Sequence, residues 1–170
     1  KKGISIKVPE GWEANKFVSD EYLEIRKFGP GQYTKEGEII NSVLVDGSII
    51  QMYVVDNPEG LNIRKVVNTC PILTTENGSS GIIKEKQIKC DLLYETIGDT
   101  EIAETITKAM NEGEDDYGNP IFIENSRRIE ISFIKNKKNY TISCEAVGKL
   151  YEEYSQKCED IIKDKIKNEF

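Results

Sequence analysis

Apolar and polar residues alternate, or recur at helical spacing, in a series of short pieces. Gly3 to Val8 puts Ile4, Ile6 and Val8 on one side, the period of two of a strand. Pro9-Glu10-Gly11 turns the chain, so that Trp12 folds back onto the sheet. Tyr22 to Phe28 reads as a second strand, its faces ambiguous, closed by Gly29-Pro30-Gly31, with residues 29–37 a loop. Glu38 to Val45 and Ser48 to Val55 are apolar runs separated by Asp46-Gly47, the signal of a type I′ hairpin. Asn57-Pro58-Glu59-Gly60 is a turn. Ile63, Val66, Val67 and Cys70 then carry helical spacing from about Asn62 to Thr69, with Pro71 as the stop.

Residues 74–81 are polar, and Asn77-Gly78-Ser79-Ser80-Gly81 reads as a loop. Glu85 to Tyr94 alternates as a strand. Asp99 or Thr100 caps a predicted helix that carries Ile102, Ala103, Ile106 and Met110 on one stripe. After an acidic loop over 112–120, Arg127 to Ile134 alternates through Ile129, Ile131 and Phe133. Lys135-Asn136-Lys137-Lys138 turns the chain, and Asn139 to Ala146 returns antiparallel. An amphipathic helix closes the chain from Lys149 to Lys167, with Tyr151 and Tyr154 as core contacts beneath it. There is no internal repeat and no linker. The pattern predicts a single α+β domain over residues 1–170, an antiparallel β-sheet flanked by helices.

Composition narrows the chemistry. The 170 residues hold 23 Lys and Arg against 30 Asp and Glu, for a net charge of −7, and contain no histidine. A Ser-His-Asp or Cys-His site therefore has no imidazole base, and the common catalytic zinc sites have no imidazole ligand. An acidic chain, with a pI near 4.9, is a poor partner for nucleic acid or an anionic membrane. No cofactor motif is present, and none is expected. The chain begins Lys1-Lys2-Gly3 rather than with Met. It reads as a processed or truncated form, with any signal peptide or lipid-attachment cysteine upstream.

Four cysteines stand at 70, 90, 144 and 158, with no C-x-x-C, which argues against zinc ribbons and thioredoxin-like motifs. Cys144 shares a strand face with Tyr140, Ile142 and Ala146, and Cys158 lies on the final helix stripe. Cys90 alternates with Ile88, Leu92 and Tyr94, while Cys70 ends a helical pattern. Two disulfides, 70–90 and 144–158, are the preferred pairing. Four buried reduced thiols in a cytosolic protein are the alternative.

Other candidate sites are sparse. Glu112, Glu114, Asp115, Asp116 and Asn119 form the densest set of oxygen ligands, of the kind calcium takes, but without EF-hand spacing. Lys135, Lys137 and Lys138, with Arg127 and Arg128 nearby, make a basic hairpin tip able to dock an anionic partner. Lysine there also discourages sheet-to-sheet pairing. Asn77-Gly78-Ser79 and Asn139-Tyr140-Thr141 match the N-glycosylation sequon, as chance allows in an Asn-rich chain. Nothing selects one carboxylate pair for hydrolysis from so many acids.

Both ends of the chain resemble the PsbP-like fold family, specifically a bacterial lipoprotein-type member. Ile4-Ser5-Ile6-Lys7-Val8-Pro9-Glu10-Gly11-Trp12 is a strand broken by Pro-x-Gly-Trp. Lys138 to Ala146 is a last strand followed by a helix with Tyr151, Tyr154, Ile161 and Ile162. The resemblance implies an α/β/α sandwich around an antiparallel sheet and a non-enzymatic role in protein binding. It transfers no binding residue. The expectation is a secreted or surface-anchored bacterial binding or assembly module with a protein partner, touching a membrane only through an upstream lipid anchor. The alternatives are a carboxylate-based or calcium-dependent hydrolase and a cytosolic adaptor.

Overall fold

The computed structural model describes residues 7–15, 19, 21–39, 44–70, 89–114, 120–148 and 151–169. Among these, side chains are described except at 89, 109–114, 120–125, 168 and 169. One sheet holds β1 (Glu13–Ala14), β2 (Tyr22–Phe28), β3 (Gly47–Asp56), β4 (Lys89–Ile97), β5 (Thr100–Glu114), β6 (Pro120–Lys135) and β7 (Lys138–Val147). The spatial order is β1-β2-β3-β7-β6-β5-β4, and every neighbouring pair is antiparallel. The helices among the described residues are α1 (Ile63–Val66) and α2 (Tyr151–Glu169), with a 3-10 turn at Pro30–Gln32.

Alternation decides which side chains are buried. Ile25, Ile50, Cys144, Ile129 and Ile106 lie in one row across five strands, and Met52, Ile142 and Ile131 lie in the next. These point at α2, which contributes Tyr154, Cys158, Ile162 and Ile166, all buried and one turn apart. Trp12 folds back into the same core. Cys144 of β7 is bonded to Cys158 of α2, with Cα atoms 5.9 Å apart. Ser48 sets its hydroxyl 3.3 Å from one sulfur and 3.1 Å from the other. Cys70 is bonded to Cys90 at a Cα separation of 6.1 Å.

β3 and β4 run the same way although three strands separate them, so the chain between them crosses over the sheet. The described part of this crossover, residues 57–70, is a strap containing α1. Asn57 anchors its start, donating to Leu61 O and accepting from Leu61 N. Asn62 caps α1 by accepting from Lys65 N. The strap reaches Tyr94 and Glu101, whereas Lys163 of α2 reaches Glu95 and Glu104. Opposite parity on the strands puts strap and helix on opposite faces.

Several expectations are corrected. The predicted helix starting at Asp99 or Thr100 is strand β5. Its Ile102, Thr105, Ile106 and Thr107 are β-branched and favour a pleated surface, and Gly98-Asp99 is a two-residue hairpin turn between Ile97 and Thr100. Asp46-Gly47 is not a hairpin. Gly47 opens β3 and pairs with Phe28 and Val147, so glycine here serves close backbone approach rather than a turn. Of the predicted strand 38–45, residues 40–43 lie outside the described residues. Ile39 makes only an isolated bridge to Tyr33, and 44–45 are not strand. Of the first predicted strand, 1–6 lie outside the described residues and 7–8 are irregular. The α+β antiparallel sheet is as expected, but among the described residues one face carries a long helix and the other a strap with a single helical turn, not the two helical layers of an α/β/α sandwich. The predicted helix near Asn62–Thr69 stops at Val66, where Val66 and Val67 add β-branched stiffness.

Candidate functional site

Among the described residues, the strap covers the β4–β6 end of its face and leaves the β2–β3 half open. Tyr22 lies opposite Tyr53 and Glu24 opposite Gln51 across these strands. The two rings are 5.1 Å apart and tilted by 44°. Val55, the next same-face residue on β3, is 62% exposed, and Tyr53 is 39% exposed. Beside them, on β7, Ser143 and Thr141 pair with Gln51 and Tyr53, continuing the same face with small hydroxyl side chains.

Glu24 is the hub. Its Oε1 accepts from Asn15 Nδ2 at 2.9 Å. Its Oε2 accepts from the Tyr22 hydroxyl at 2.5 Å and from Gln51 Nε2 at 3.1 Å. Burial pushes the carboxyl up, but the hydrogen bonds from Tyr22, Gln51 and Asn15, with the charge of Arg26, outweigh it and hold Glu24 below its ordinary value. Burial and the Glu24 carboxylate raise the Tyr22 phenol to about 12, so at neutral pH it is a fixed donor. Arg26 lies over the Phe28 ring, 5.1 Å from its centroid. The arrangement sets a tilted pair of tyrosine rings beside a hydrogen-bonded carboxylate.

The residues singled out in the sequence lie elsewhere. Glu112 and Glu114 have backbone in β5 near its β6 turn, and their side chains lie outside the described residues, as do Asp115, Asp116 and Asn119 entirely. Asn77-Gly78-Ser79 lies outside them too. Asn139 is half-buried within β7. Lys135 and Lys138 face each other across the β6–β7 tip, where Asn136 and Lys137 take left-handed φ of 52° and 58°. Lys138 pairs with Asp56 at 3.2 Å, and this hydrogen bond raises its pKa. Lys135 lines a groove of ≈ 480 Å³ with Asn62, Asp99, Glu101 and Ile134. The basic tip and the tyrosine surface do not merge into one site.

A hydrolase would need a free carboxyl raised in a cleft. Glu104 is raised by burial, but it sits beneath α2 within reach of Lys163. Glu101, in the groove, is paired to Arg64 at 2.8 Å. Among the described residues no three His, Cys, Asp or Glu side chains are placed to hold a metal, and no helix is long and apolar enough to cross a membrane. Sequence reasoning missed Tyr22, Glu24, Gln51 and Tyr53. The available signal was that Tyr22, Glu24, Arg26 and Phe28 form one face of β2 while Leu23 and Ile25 form the other.

Fold and surface together define an α+β protein with one seven-stranded antiparallel sheet, a C-terminal helix on one face and a partly open second face. No protein-family model matches the chain, and no curated protein matches it. Among solved structures it is similar to a point mutant of protein Mog1, at 13% identity and a TM-score of 0.45, covering 95% of this chain and 84% of that one. It is also similar to the Saccharomyces cerevisiae Ran-binding protein Mog1p, at 14% identity and a TM-score of 0.44, covering 95% of this chain and 82% of that one. The expectation of a PsbP-like, bacterial lipoprotein-type family member is thereby corrected: these neighbours are Mog1 structures, and among the described residues the helices do not form two layers around the sheet.

Proposed function

We propose that this protein is a non-enzymatic adaptor that binds a protein partner through the open β2–β3 half of its sheet. This keeps the protein-binding role of the adaptor alternative, without its cytosolic placement, and sets aside the lipoprotein and hydrolase readings. The observation that carries it is the placement of Tyr22, Tyr53 and Val55 together on one face of the β2–β3 pair, with Tyr53 and Val55 exposed. Interfaces are enriched in tyrosine because its ring offers large contact area at low entropic cost. The test is photo-cross-linking with p-benzoylphenylalanine in place of Tyr53 or, as control, Asp160 on the exposed side of α2. A specific adduct from position 53 and none from 160 is expected. Equal labelling, or none from 53, overturns the reading.

We also propose an oxidising compartment. The two disulfides support it, since such bonds persist where thiols are not kept reduced. Alkylation of the denatured native protein without reductant should find no free thiol among these cysteines. Four alkylated thiols would place it in the cytosol.

A further inference from the structure

This sheet face already seats one arginine between a tyrosine ring and a carboxylate. Arg64, from the strap, has its guanidinium carbon 4.4 Å from the centroid of the Tyr94 ring. Its Nε donates to Glu101 Oε1 at 2.8 Å. A planar cation over an aromatic ring, with a carboxylate at its edge, satisfies both the ring quadrupole and the guanidinium donors. The β2–β3 half presents the same parts: the Tyr22 and Tyr53 rings side by side and the Glu24 carboxylate next to them on the same face. What differs is the cation. Among the described residues the hydrogen-bond donors to Glu24 are neutral, namely Asn15, Tyr22 and Gln51; Arg26 acts on Glu24 through its charge but lies over Phe28.

The surrounding charge has the matching sign. Register puts Glu13, Glu24, Glu130 and Glu145 on this face of β1, β2, β6 and β7, against Arg26 and Arg128. Arg128 is itself paired to Glu130 at 3.2 Å. An excess of carboxylate on a surface of aromatic and amide groups complements a basic partner.

Building on the adaptor reading, we propose that Tyr22, Tyr53 and Glu24 form a seat for an arginine side chain presented by the protein partner. The partner's guanidinium would lie against the tyrosine rings and share the Glu24 carboxylate, as Arg64 lies on Tyr94 and Glu101. Lysine would fill the seat less well, because its compact ammonium cannot stack.

The test is an NMR titration of the intact protein, following the Tyr22 and Tyr53 ring signals and the Gln51 side-chain amide. The probe is Nα-acetyl-arginine amide, and the control is Nα-acetyl-citrulline amide, which has nearly the same shape and no charge. Saturable shifts with the arginine probe are expected, weakening as salt is added and absent with citrulline. Glu24→Gln keeps acceptor capacity toward Tyr22 and should weaken the probe about tenfold. Tyr53→Leu keeps an apolar strand residue but removes a ring, and should abolish the saturable shifts. Equal shifts with both probes, or none, overturn the seat. Partner cross-linking at position 53 without arginine shifts would overturn the seat and leave the surface reading standing. Arginine shifts without cross-linking at 53 would support the seat and sink the surface reading.

Discussion

Gly47 has a φ of +129°, and a Cβ built there falls 2.9 Å from Phe28 Cα and against the Lys27 carbonyl. Backbone, not a side-chain end, occupies the space, so the clash cannot be relieved by a rotamer change. Gly47→Ala should lower stability by at least ~2 kcal/mol, read as a shift in urea midpoint at unchanged slope. Its neighbour Asp46 ties the same corner together. Asp46 Oδ2 accepts from Gly31 N at 2.8 Å, and Gln32 Oε1 accepts from the Asp46 and Val45 amides.

At the Glu24 hub two titrations act at opposite ends of the pH scale. The folded Glu24 value lies below 4.5, so its contribution to stability is present above 4.5 and is lost as pH falls through the lowered value. Tyr22 is raised from 10.0 to about 12. Its contribution is complete below pH 10 and is lost as pH rises through about 12. Unfolding midpoints measured from pH 9 to 12 should fall more steeply in the wild type than in Tyr22→Phe. Parallel curves would show that the Tyr22–Glu24 bond does not set the alkaline limit. Glu104, raised by burial, acts in the other sense from Glu24, becoming more favourable to the fold as pH falls.

Among the elements, β7 and α2 were legible in the sequence nearly to their ends, because each has one apolar face with a single period, whereas β2 was legible in extent but not in its faces. Tyr140, Ile142, Cys144 and Ala146 all lie buried where alternation put them, and Tyr154, Cys158 and Ile162 do the same at helical spacing. β5 was not legible. Ile102, Ala103 and Ile106 satisfy helical spacing, and Ala103 is buried on the strap side while Ile102 is buried under α2. A strand covered on both faces loses the clean alternation that identifies it. The strap was half legible: the Asn57–Gly60 turn and a helix start near Asn62 could be read, but its path across the sheet depends on β3 and β4 lying four places apart.

The Cys144–Cys158 bond joins the last strand to the last helix, 14 residues apart in sequence. Closing a loop of that size constrains the unfolded chain by about 3 kcal/mol in the chain-entropy account. The double variant Cys144→Ser, Cys158→Ser should lose stability of that order, measured by denaturant unfolding, and should leave hydroxyls beside Ser48 under α2. A loss below ~1 kcal/mol would mean that the packing of Tyr154, Ile162 and Ile166 alone fixes the helix.

For the whole molecule, the two faces of the sheet divide the work. One buries the apolar rows under α2 and a long helix seals it. The other carries Ser, Thr, Tyr, Glu and Gln, and a strap covers only part of it. The candidate surface escaped sequence reading because its residues come from three separate segments, Asn15, Tyr22–Glu24 and Gln51–Tyr53. The β2–β3 register and the pairing of Asn15 with Glu24 beyond β1 bring these together. The basic tip at Lys135, Lys137 and Lys138, by contrast, was visible as one contiguous run, and Asp56 engages Lys138 there.

The most direct test of the account is the affinity of the partner captured from position 53 for three proteins. These are the wild type, the double variant Tyr53→Ala, Val55→Asp, and Asp160→Lys on the far side of α2. Removing a central aromatic anchor and charging its apolar neighbour should weaken binding about 100-fold or more, with Asp160→Lys indistinguishable from wild type and all three equally stable. Unchanged affinity in the double variant would contradict the assignment of the open β2–β3 face as the binding surface.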